Sequence, residues 1–354
     1  MSLSSPEVLA TNRPPRQPAG DRRRRWVMGA LILVGVAAVA VTALVQLRPW
    51  DGAPATGVRM LVDGPDGLTW IDADSGDRTA AIPDDATDWL DFSVVSDTVV
   101  AREPADDPSA TAQVVVYSGS EPPQFVGSAD VVVPGQGSAL WLVVRGDGHK
   151  PGKAELTSVM GEQPPATFDV PSHLDVVGAF DDGLVVAEGD FRYRRLALWN
   201  VHENKIVKRF GLVVGVREVI GHRALVTTGC LTSGCSSAVV NLATGRSRDV
   251  TMPAGFAESG APTLVPGGVA SVVVARDGST RLAMGRPDAL QVVARRSLAG
   301  VQPAHGVQAM AAPGGWLAIT NDDGDVSLWR SGIEEPVPTV DLAPDERLLA
   351  VRGS

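Results

Sequence analysis

The chain has 354 residues, enough for two or three average domains or for one large repeat-built domain with an appendage. It is 44% hydrophobic and 20% charged, which excludes a disordered chain and a polytopic membrane protein, and two cysteines are too few for a disulfide framework. The net charge of −10 is uneven, because residues 1–50 carry seven arginines against Glu7 and Asp21 and leave −15 for residues 51–354. An acidic body of this kind repels a phosphate backbone, which argues against nucleic-acid binding.

The amino end predicts a tail followed by a membrane anchor. Residues 1–25 are rich in Ser, Pro and Arg and predict a disordered tail. Residues 26–47 hold no charge over 22 positions, which as a helix spans about 33 Å, enough to cross the hydrocarbon layer once. Only Arg48 follows this segment, whereas four consecutive arginines precede it: Arg22, Arg23, Arg24 and Arg25. The positive-inside rule therefore predicts a cytoplasmic amino terminus and an extracytoplasmic body.

A cleaved secretory signal is the main alternative for this segment; a buried helix of a soluble protein is disfavoured, because the segment has no polar face to meet water. Ala38-Val39-Ala40 resembles a cleavage site, but apolar residues continue past it, and the apolar core is longer than the usual 7–15 residues or so. We therefore favour an uncleaved single-pass helix in the cell membrane, with residues 48–56 as a linker.

The rest of the chain is a repeat of short β-strands. Runs rich in Val, Leu, Ile and Thr are broken by Gly, Asp, Pro and Ser, which predicts an all-β body over residues 57–354. Tight turns recur every 41 to 44 residues at Gly76, Gly119, Gly161, Asn204, Gly245, Asp288 and Gly332. That period is the length of a four-stranded propeller blade, so seven turns predict a seven-bladed β-propeller.

The two ends of the body predict how the ring closes. The first unit begins directly at Val58 and lacks an innermost strand, whereas the chain continues past the seventh turn to Arg347-Leu-Leu-Ala-Val351. We expect this carboxyl-terminal strand to pair into the first blade, because closure removes an exposed sheet edge.

The turns carry a family resemblance. Trp70-Ile-Asp-Ala-Asp-Ser-Gly76, Val240-Asn-Leu-Ala-Thr-Gly245 and Leu328-Trp329 resemble the degenerate β-propellers of the WD-repeat, YVTN and PQQ-like type. The resemblance covers roughly residues 57–354 and implies a propeller fold. The 27 arginines against 4 lysines are typical of a high-GC, actinomycete-type bacterium, in which membrane-anchored propellers of this kind occur.

The two cysteines predict a disulfide. Cys230 and Cys235 enclose four residues in a predicted hairpin, and on the outer side of a membrane such a bridge persists. A redox role usually needs two intervening residues and a lowered thiol pKa, and zinc would need two further ligands at suitable spacing.

No other motif predicts chemistry. The five histidines are scattered, and the sequence contains no nucleophile elbow, phosphate loop or dinucleotide fingerprint. Asp72-Ala-Asp74 is the nearest approach to a calcium loop but is better interpreted as a turn cap, and Tyr117, Trp199 and Trp329 as packing between blades. We therefore expect no catalytic, cofactor-binding or metal-binding residues and no cofactor.

These observations favour a non-catalytic, membrane-anchored scaffold that binds an envelope protein, a peptide or a glycan. Two alternatives remain. One is an extracytoplasmic enzyme of the quinoprotein or hydrolase propeller type, whose acidic residues gather at the central channel. The other is a sensor ectodomain, whose short tail signals by recruiting another protein.

Overall fold

The computed structural model describes residues 56–354 apart from 84–88, 96–97, 106, 108–109, 120, 148–149, 161–164, 190–193, 232–233, 294–297, 299–308, 312–315, 321–324, 331–336, 344 and 354. The predicted tail, the predicted membrane span at 26–47 and the arginine block Arg22 to Arg25 lie outside the described residues. Among the residues that are described, no helix is long and apolar enough to cross a membrane.

The described chain forms 29 strands in seven antiparallel sheets, which are the blades of a propeller. Blade 1 contains β1 (Val58–Gly64), β2 (Gly67–Asp72), β3 (Arg78–Pro83) and β29 (Arg347–Gly353). Blade 2 contains β4 (Asp91–Val95), β5 (Thr98–Glu103), β6 (Gln113–Tyr117) and β7 (Gln124–Ser128). Blade 3 contains β8 (Val131–Pro134), β9 (Ala139–Val144), β10 (Gly152–Ser158) and β11 (Ala166–Val170). Blade 4 contains β12 (Leu174–Phe180), β13 (Gly183–Glu188), β14 (Arg194–Asn200) and β15 (Lys205–Val213).

The remaining blades follow the same order. Blade 5 contains β16 (Gly215–Ile220), β17 (Arg223–Leu231), β18 (Gly234–Asn241) and β19 (Ser247–Asp249). Blade 6 contains β20 (Phe256–Glu258), β21 (Thr263–Val265), β22 (Gly268–Ala275), β23 (Thr280–Arg286) and β24 (Ala289–Val292). Blade 7 contains β25 (Ala309–Ala311), β26 (Trp316–Thr320), β27 (Asp325–Arg330) and β28 (Val337–Asp341). The predicted all-β, seven-bladed architecture is confirmed.

In blades 2 to 7 the chain runs from the innermost side to an outermost strand, whereas in blade 1 the innermost strand, β29, is the last of the chain. The innermost strands contact each other in succession from β4 through β8, β12, β16, β21 and β25 to β29. Blade 6 departs from the four-strand plan, since β20 and β21 each pair with a different part of β22. Pro262, which lies between them, has no N–H to donate to the ladder, so the inner strand is broken there.

The hydrophobic core consists of seven clusters, each between two neighbouring blades. Side chains alternate between the two sides of each sheet. In β17, Ala224 and Val226 pack towards blade 4, whereas Leu225 packs towards blade 6. Because both sides of the central strands are buried, these strands read as continuous apolar runs in the sequence. Three predicted packing residues are buried in these clusters: Tyr117, Trp199 and Trp329.

The predicted turns connect the third and fourth strands of the blades. Four of them have a residue with positive φ at the predicted position: Gly76 (75°), Gly119 (56°), Asn204 (50°) and Gly245 (80°). The sixth predicted turn, at Asp288, connects β23 to β24. Gly161 and Gly332 lie outside the described residues.

The ring closes as predicted. β29 pairs antiparallel with β1 from Val58–Gly353 to Asp63–Arg347, so the last strand of the chain is the innermost strand of blade 1. Leu348 is buried in the cluster between blades 7 and 1. The guanidinium of Arg352 lies 4.8 Å from the Trp70 ring centroid, a cation–π contact between β29 and β2.

Candidate functional site

A cavity of about 510 Å³ opens between blades 3 and 4. It lies at the end of the ring where the first strand of each blade begins and the second strand ends, which we call the cavity face. Its lining comes from the ends of β9, β11 and β13, the starts of β8, β10, β12 and β14, and the segment 171–173. Two blades and several separate segments therefore form one site.

Asp175 is at the centre of the charged lining. One carboxylate oxygen accepts a hydrogen bond from Arg145 Nη2 at 3.0 Å, and the other accepts one from Arg194 Nη1 at 2.8 Å. Arg145 follows β9 in blade 3, whereas Arg194 begins β14 in blade 4. The Arg145 side chain stays 61% exposed, against 27% for Asp175. The carboxylate thus fixes two guanidinium groups while one of them still faces solvent.

Contacts between arginine and aspartate residues also link blade 2 to blade 3. Asp91 begins β4 and accepts two hydrogen bonds from Arg102, at 2.7 and 2.6 Å. Arg102 Nη1 also donates to the carbonyl of Asp130 in the next blade at 2.6 Å. The Asp130 carboxylate in turn accepts the main-chain N–H of Arg145 at 2.7 Å. Paired arginines and aspartates therefore connect blades 2, 3 and 4 along the cavity face.

Glu188 lines the cavity at the end of β13. Arg209 of β15 donates to both of its oxygens, at 2.9 and 3.1 Å. This hydrogen-bonded guanidinium lowers the pKa of Glu188, so the carboxylate is ionised at neutral pH.

Backbone forms part of the cavity wall. A Cβ atom on Gly146 would lie 2.2 Å from the Lys150 carbonyl oxygen, and one on Gly152 would lie 2.4 Å from the Val144 carbonyl oxygen. Glycine is required at both positions because the main chain approaches itself too closely for a side chain.

The predicted cysteine pair lies on the same face, in blade 5. Cys230 and Cys235 face each other near the end of the β17–β18 hairpin, both exposed, with their sulfur atoms 2.07 Å apart. The expected pairing at disulfide distance is thus supported. The bridge joins the two strands of this hairpin at an exposed position.

A partly buried acid links blades 5 and 6. Glu218 Oε2 accepts hydrogen bonds from the Leu264 N–H at 2.8 Å and from Thr263 Oγ1 at 3.2 Å. Burial raises the pKa of Glu218. Glu218 therefore joins β16 to β21.

The residues that the sequence assigned to turns behave accordingly. Asp72 Oδ1 accepts the N–H groups of Asp74 and Ser75, both at 2.9 Å, which is an Asx turn. His173, His202 and His222 are exposed. Among the described residues, no group of three or more His, Cys, Asp or Glu side chains is placed to hold a metal ion.

Sequence reasoning missed the cavity, although a signal for it was present. Asp91, Asp130 and Asp175 stand at or next to the start of successive inner strands, 39 and 45 residues apart, close to the blade period. A search for polar residues at that period, rather than for catalytic motifs, would have found these three aspartates.

Comparison with known proteins identifies the fold of this chain but finds no relative by sequence. No protein-family model matches this chain, and no curated protein matches it. Among solved structures, Pyrococcus horikoshii acylaminoacyl peptidase in its orthorhombic crystal form matches at 14% identity and a TM-score of 0.52, over 78% of this chain and 48% of the peptidase. An acylaminoacyl peptidase in complex with Z-Gly-Gly-Phe-chloromethyl ketone matches at 14% identity and a TM-score of 0.51, over 76% of this chain and 47% of that one.

A third structure, apo AztD from Citrobacter koseri, matches at 11% identity and a TM-score of 0.49, over 84% of this chain and 98% of that one. The chain spans about half the length of the peptidase chains that it matches. At these identities the likeness shows the fold alone, and by its fold the chain is a seven-bladed β-propeller.

Proposed function

We propose that this chain is a non-catalytic binding protein, held in the cell membrane by residues 26–47 with its propeller on the extracytoplasmic side. Its cavity between blades 3 and 4 receives a peptide segment of an envelope protein. Neither a nucleic acid nor a cofactor takes part.

The anchor and the location rest on the sequence. The uncharged stretch has the length of a membrane span, and the arginine block before it favours a cytoplasmic amino terminus. A cysteine pair at disulfide distance in an exposed hairpin suits an oxidising compartment.

The observation that carries the binding function is the fixed guanidinium pair in the cavity. Asp175 holds Arg145 and Arg194 in place before any ligand arrives, so little side-chain entropy is lost on binding. The exposed Arg145 has further N–H donors for a carboxylate or a peptide carbonyl. Val131, Leu174 and other apolar residues line the same cavity and can cover an apolar side chain.

The electrostatics favour binding over acid–base catalysis. A general acid works best with a pKa near the working pH, whereas Arg209 keeps the pKa of Glu188 below its ordinary value. Asp175 pairs with Arg145 and Arg194, and Glu188 pairs with Arg209, which favours rigid recognition rather than proton transfer.

Site-specific photo-crosslinking of the full-length chain in its own membrane tests the proposal. A photoreactive amino acid replaces His173, which is exposed and lines the cavity. The matched control replaces Met160, which is exposed at the opposite end of blade 3. We expect a protease-sensitive adduct from position 173 only, and we expect Asp175→Ala to reduce it. Equal adducts from both positions, or none, would contradict the proposal, and a protease-resistant, glycosidase-sensitive adduct would replace the peptide by a glycan.

Protease accessibility tests the orientation separately. In intact cells, protease added outside should degrade the propeller of the native chain. Exchange of Arg22 to Arg25 for asparagine should reduce that accessibility, because the charge bias is removed. A propeller protected from external protease in intact cells and cut only after lysis would refute the extracytoplasmic location.

A further inference from the structure

A second cleft, of about 340 Å³, lies between blades 5 and 6 at the end of the ring opposite the cavity face. We call it the arginine cleft, because four arginines line it: Arg223, Arg246, Arg248 and Arg286. Residues 51–354 carry a net charge of −15. The four arginines therefore form a positive patch on a part of the chain that is negatively charged overall.

The fold explains why the four guanidinium groups meet. The second strand of a blade begins at this face, and the third strand ends there. Arg223 begins β17, Arg286 ends β23, and Arg246 and Arg248 lie in the turn and the short strand β19 after the third strand of blade 5. Gly267 and Gly268 contribute backbone from the start of β22.

The acidic partner that the structure places against these arginines is weakly held. Arg248 Nη1 lies 3.4 and 3.3 Å from the two oxygens of Asp288, and Arg286 Nε lies 3.7 Å from one of them. Strong charge-assisted pairs are shorter, about 2.7–2.9 Å. Arg223 donates to the Gly268 carbonyl oxygen at 3.0 Å, which is a neutral acceptor. Arg248 and Arg286 thus share one exposed carboxylate, that of Asp288.

We propose that the arginine cleft binds a phosphate group, either as free phosphate or as the phosphoryl group of a small organic phosphate. Planar guanidinium forks match phosphate oxygens in two-point contacts, and a dianion compensates more of the arginine charge than a single carboxylate does. The volume is in the range of small-ligand sites. The cleft and the cavity are at opposite ends of the ring and share no lining residue.

Asp288 then competes with the ligand for the same guanidinium groups. This competition predicts that two kinds of substitution change the affinity for phosphate in opposite directions. Loss of an arginine removes a phosphate contact, whereas Asp288→Asn removes the competing charge and frees Arg248 and Arg286.

Isothermal titration of the full-length protein in detergent micelles, in a phosphate-free buffer, tests this. Inorganic phosphate and glycerol 3-phosphate are the probes, and succinate is the carboxylate control. We expect Arg248→Gln to weaken phosphate binding about tenfold or more and Asp288→Asn to tighten it several-fold. The matched control is Arg276→Gln, which changes an exposed arginine of blade 6 at the cavity face and should leave binding unchanged.

The probes also separate the two sources of the phosphate group. Equal affinity for both indicates free phosphate, and tighter binding of glycerol 3-phosphate indicates an organic phosphate; either result supports the site. No binding up to ~5 mM of either probe, succinate binding as tightly as phosphate, or a wild-type affinity in Arg248→Gln would overturn it. A gain of affinity in Asp288→Asn cannot arise from misfolding, so the test remains decisive if an arginine variant is unstable.

Discussion

The cavity face of blades 2 to 4 and the arginine cleft of blades 5 and 6 use the same side chain in different ways. On the cavity face, Arg102, Arg145 and Arg209 each meet a carboxylate at 3.0 Å or less. In the arginine cleft, the ion pairs that Arg248 and Arg286 form with Asp288 are 3.3 and 3.7 Å long. Arginine is therefore held in tight ion pairs on the cavity face, where the Arg145–Asp175 pair joins two blades, and it is more loosely paired in the arginine cleft, where it remains available to a ligand.

This contrast depends on one intact ring, and the largest expected effect comes from opening it. A chain truncated after Ala343 loses β29 and with it the innermost strand of blade 1. We expect the propeller to lose cooperative unfolding or to become insoluble, because an exposed edge of β1 and unburied core of blades 7 and 1 remain. Thermal unfolding followed by circular dichroism measures this, and a truncated protein that melts like the native one would refute the closure.

Removal of the disulfide bridge in the β17–β18 hairpin should have the next largest effect on stability. Its effect should be confined to the cavity face. The double variant Cys230→Ser/Cys235→Ser avoids a free thiol and should lower the free energy of unfolding by about 2 kcal/mol, from lost loop-closure entropy. We expect phosphate binding at the arginine cleft to be unchanged. Collapse of the whole ring in this variant would show that the bridge does more than stabilise one hairpin.

Substitution of one acid in each region tests how firmly that region holds its arginines. Asp175→Ala leaves two cavity guanidinium groups without their carboxylate and should destabilise the protein by about 1–2 kcal/mol, a range reduced because the groups are partly exposed. Asp288→Asn, in the arginine cleft, should change stability by less than about 0.5 kcal/mol. Denaturant unfolding measures both. Equal losses would mean that the arginines of the two regions are equally engaged.

The smallest expected effect is on the pH dependence of stability. Burial raises the pKa of Glu218, so the unfolded chain loses this proton first and the native state loses stability as the pH rises from 4 to 7. Glu218→Gln cannot ionise, so its melting temperature relative to the native protein should increase over that range. Glu188→Gln should show the opposite trend at lower pH: its melting temperature relative to the native protein should fall as the pH rises towards 4.5, because Arg209 lowers the pKa of Glu188 and stabilises its charged form. If the melting temperatures of both variants changed in the same direction with pH, the opposite pKa shifts of Glu218 and Glu188 would be contradicted.

Much of the fold was predictable because the blade is a unit of nearly constant length. The spacing of the turns predicted the seven blades, and the apolar runs marked the second strands, for example Leu184 to Ala187 in β13. The broken inner strand of blade 6 was not predicted, although Pro262 stands at the break. Proline interrupts the ladder only where a strand would otherwise run, and the sequence pattern did not locate that strand.

The two sites could not be derived in the same way. The cavity joins residues from two blades, and Arg145 and Asp175 are 30 positions apart. The arginine cleft joins Arg223 to Arg286 across 63 positions. The blade period marks the inner-strand aspartates, but no spacing along the chain encodes which arginines meet them, because that depends on how neighbouring sheets face each other around the ring.

The closure of the ring also has a mechanical consequence. β1, the first strand of the described chain, has β29 on one side and β2 on the other, rather than lying at an edge. A pulling force applied at Thr56 would therefore act on two rows of interstrand hydrogen bonds simultaneously. A tether that enters the domain at this strand spreads load across blade 1, instead of peeling away a single outer strand.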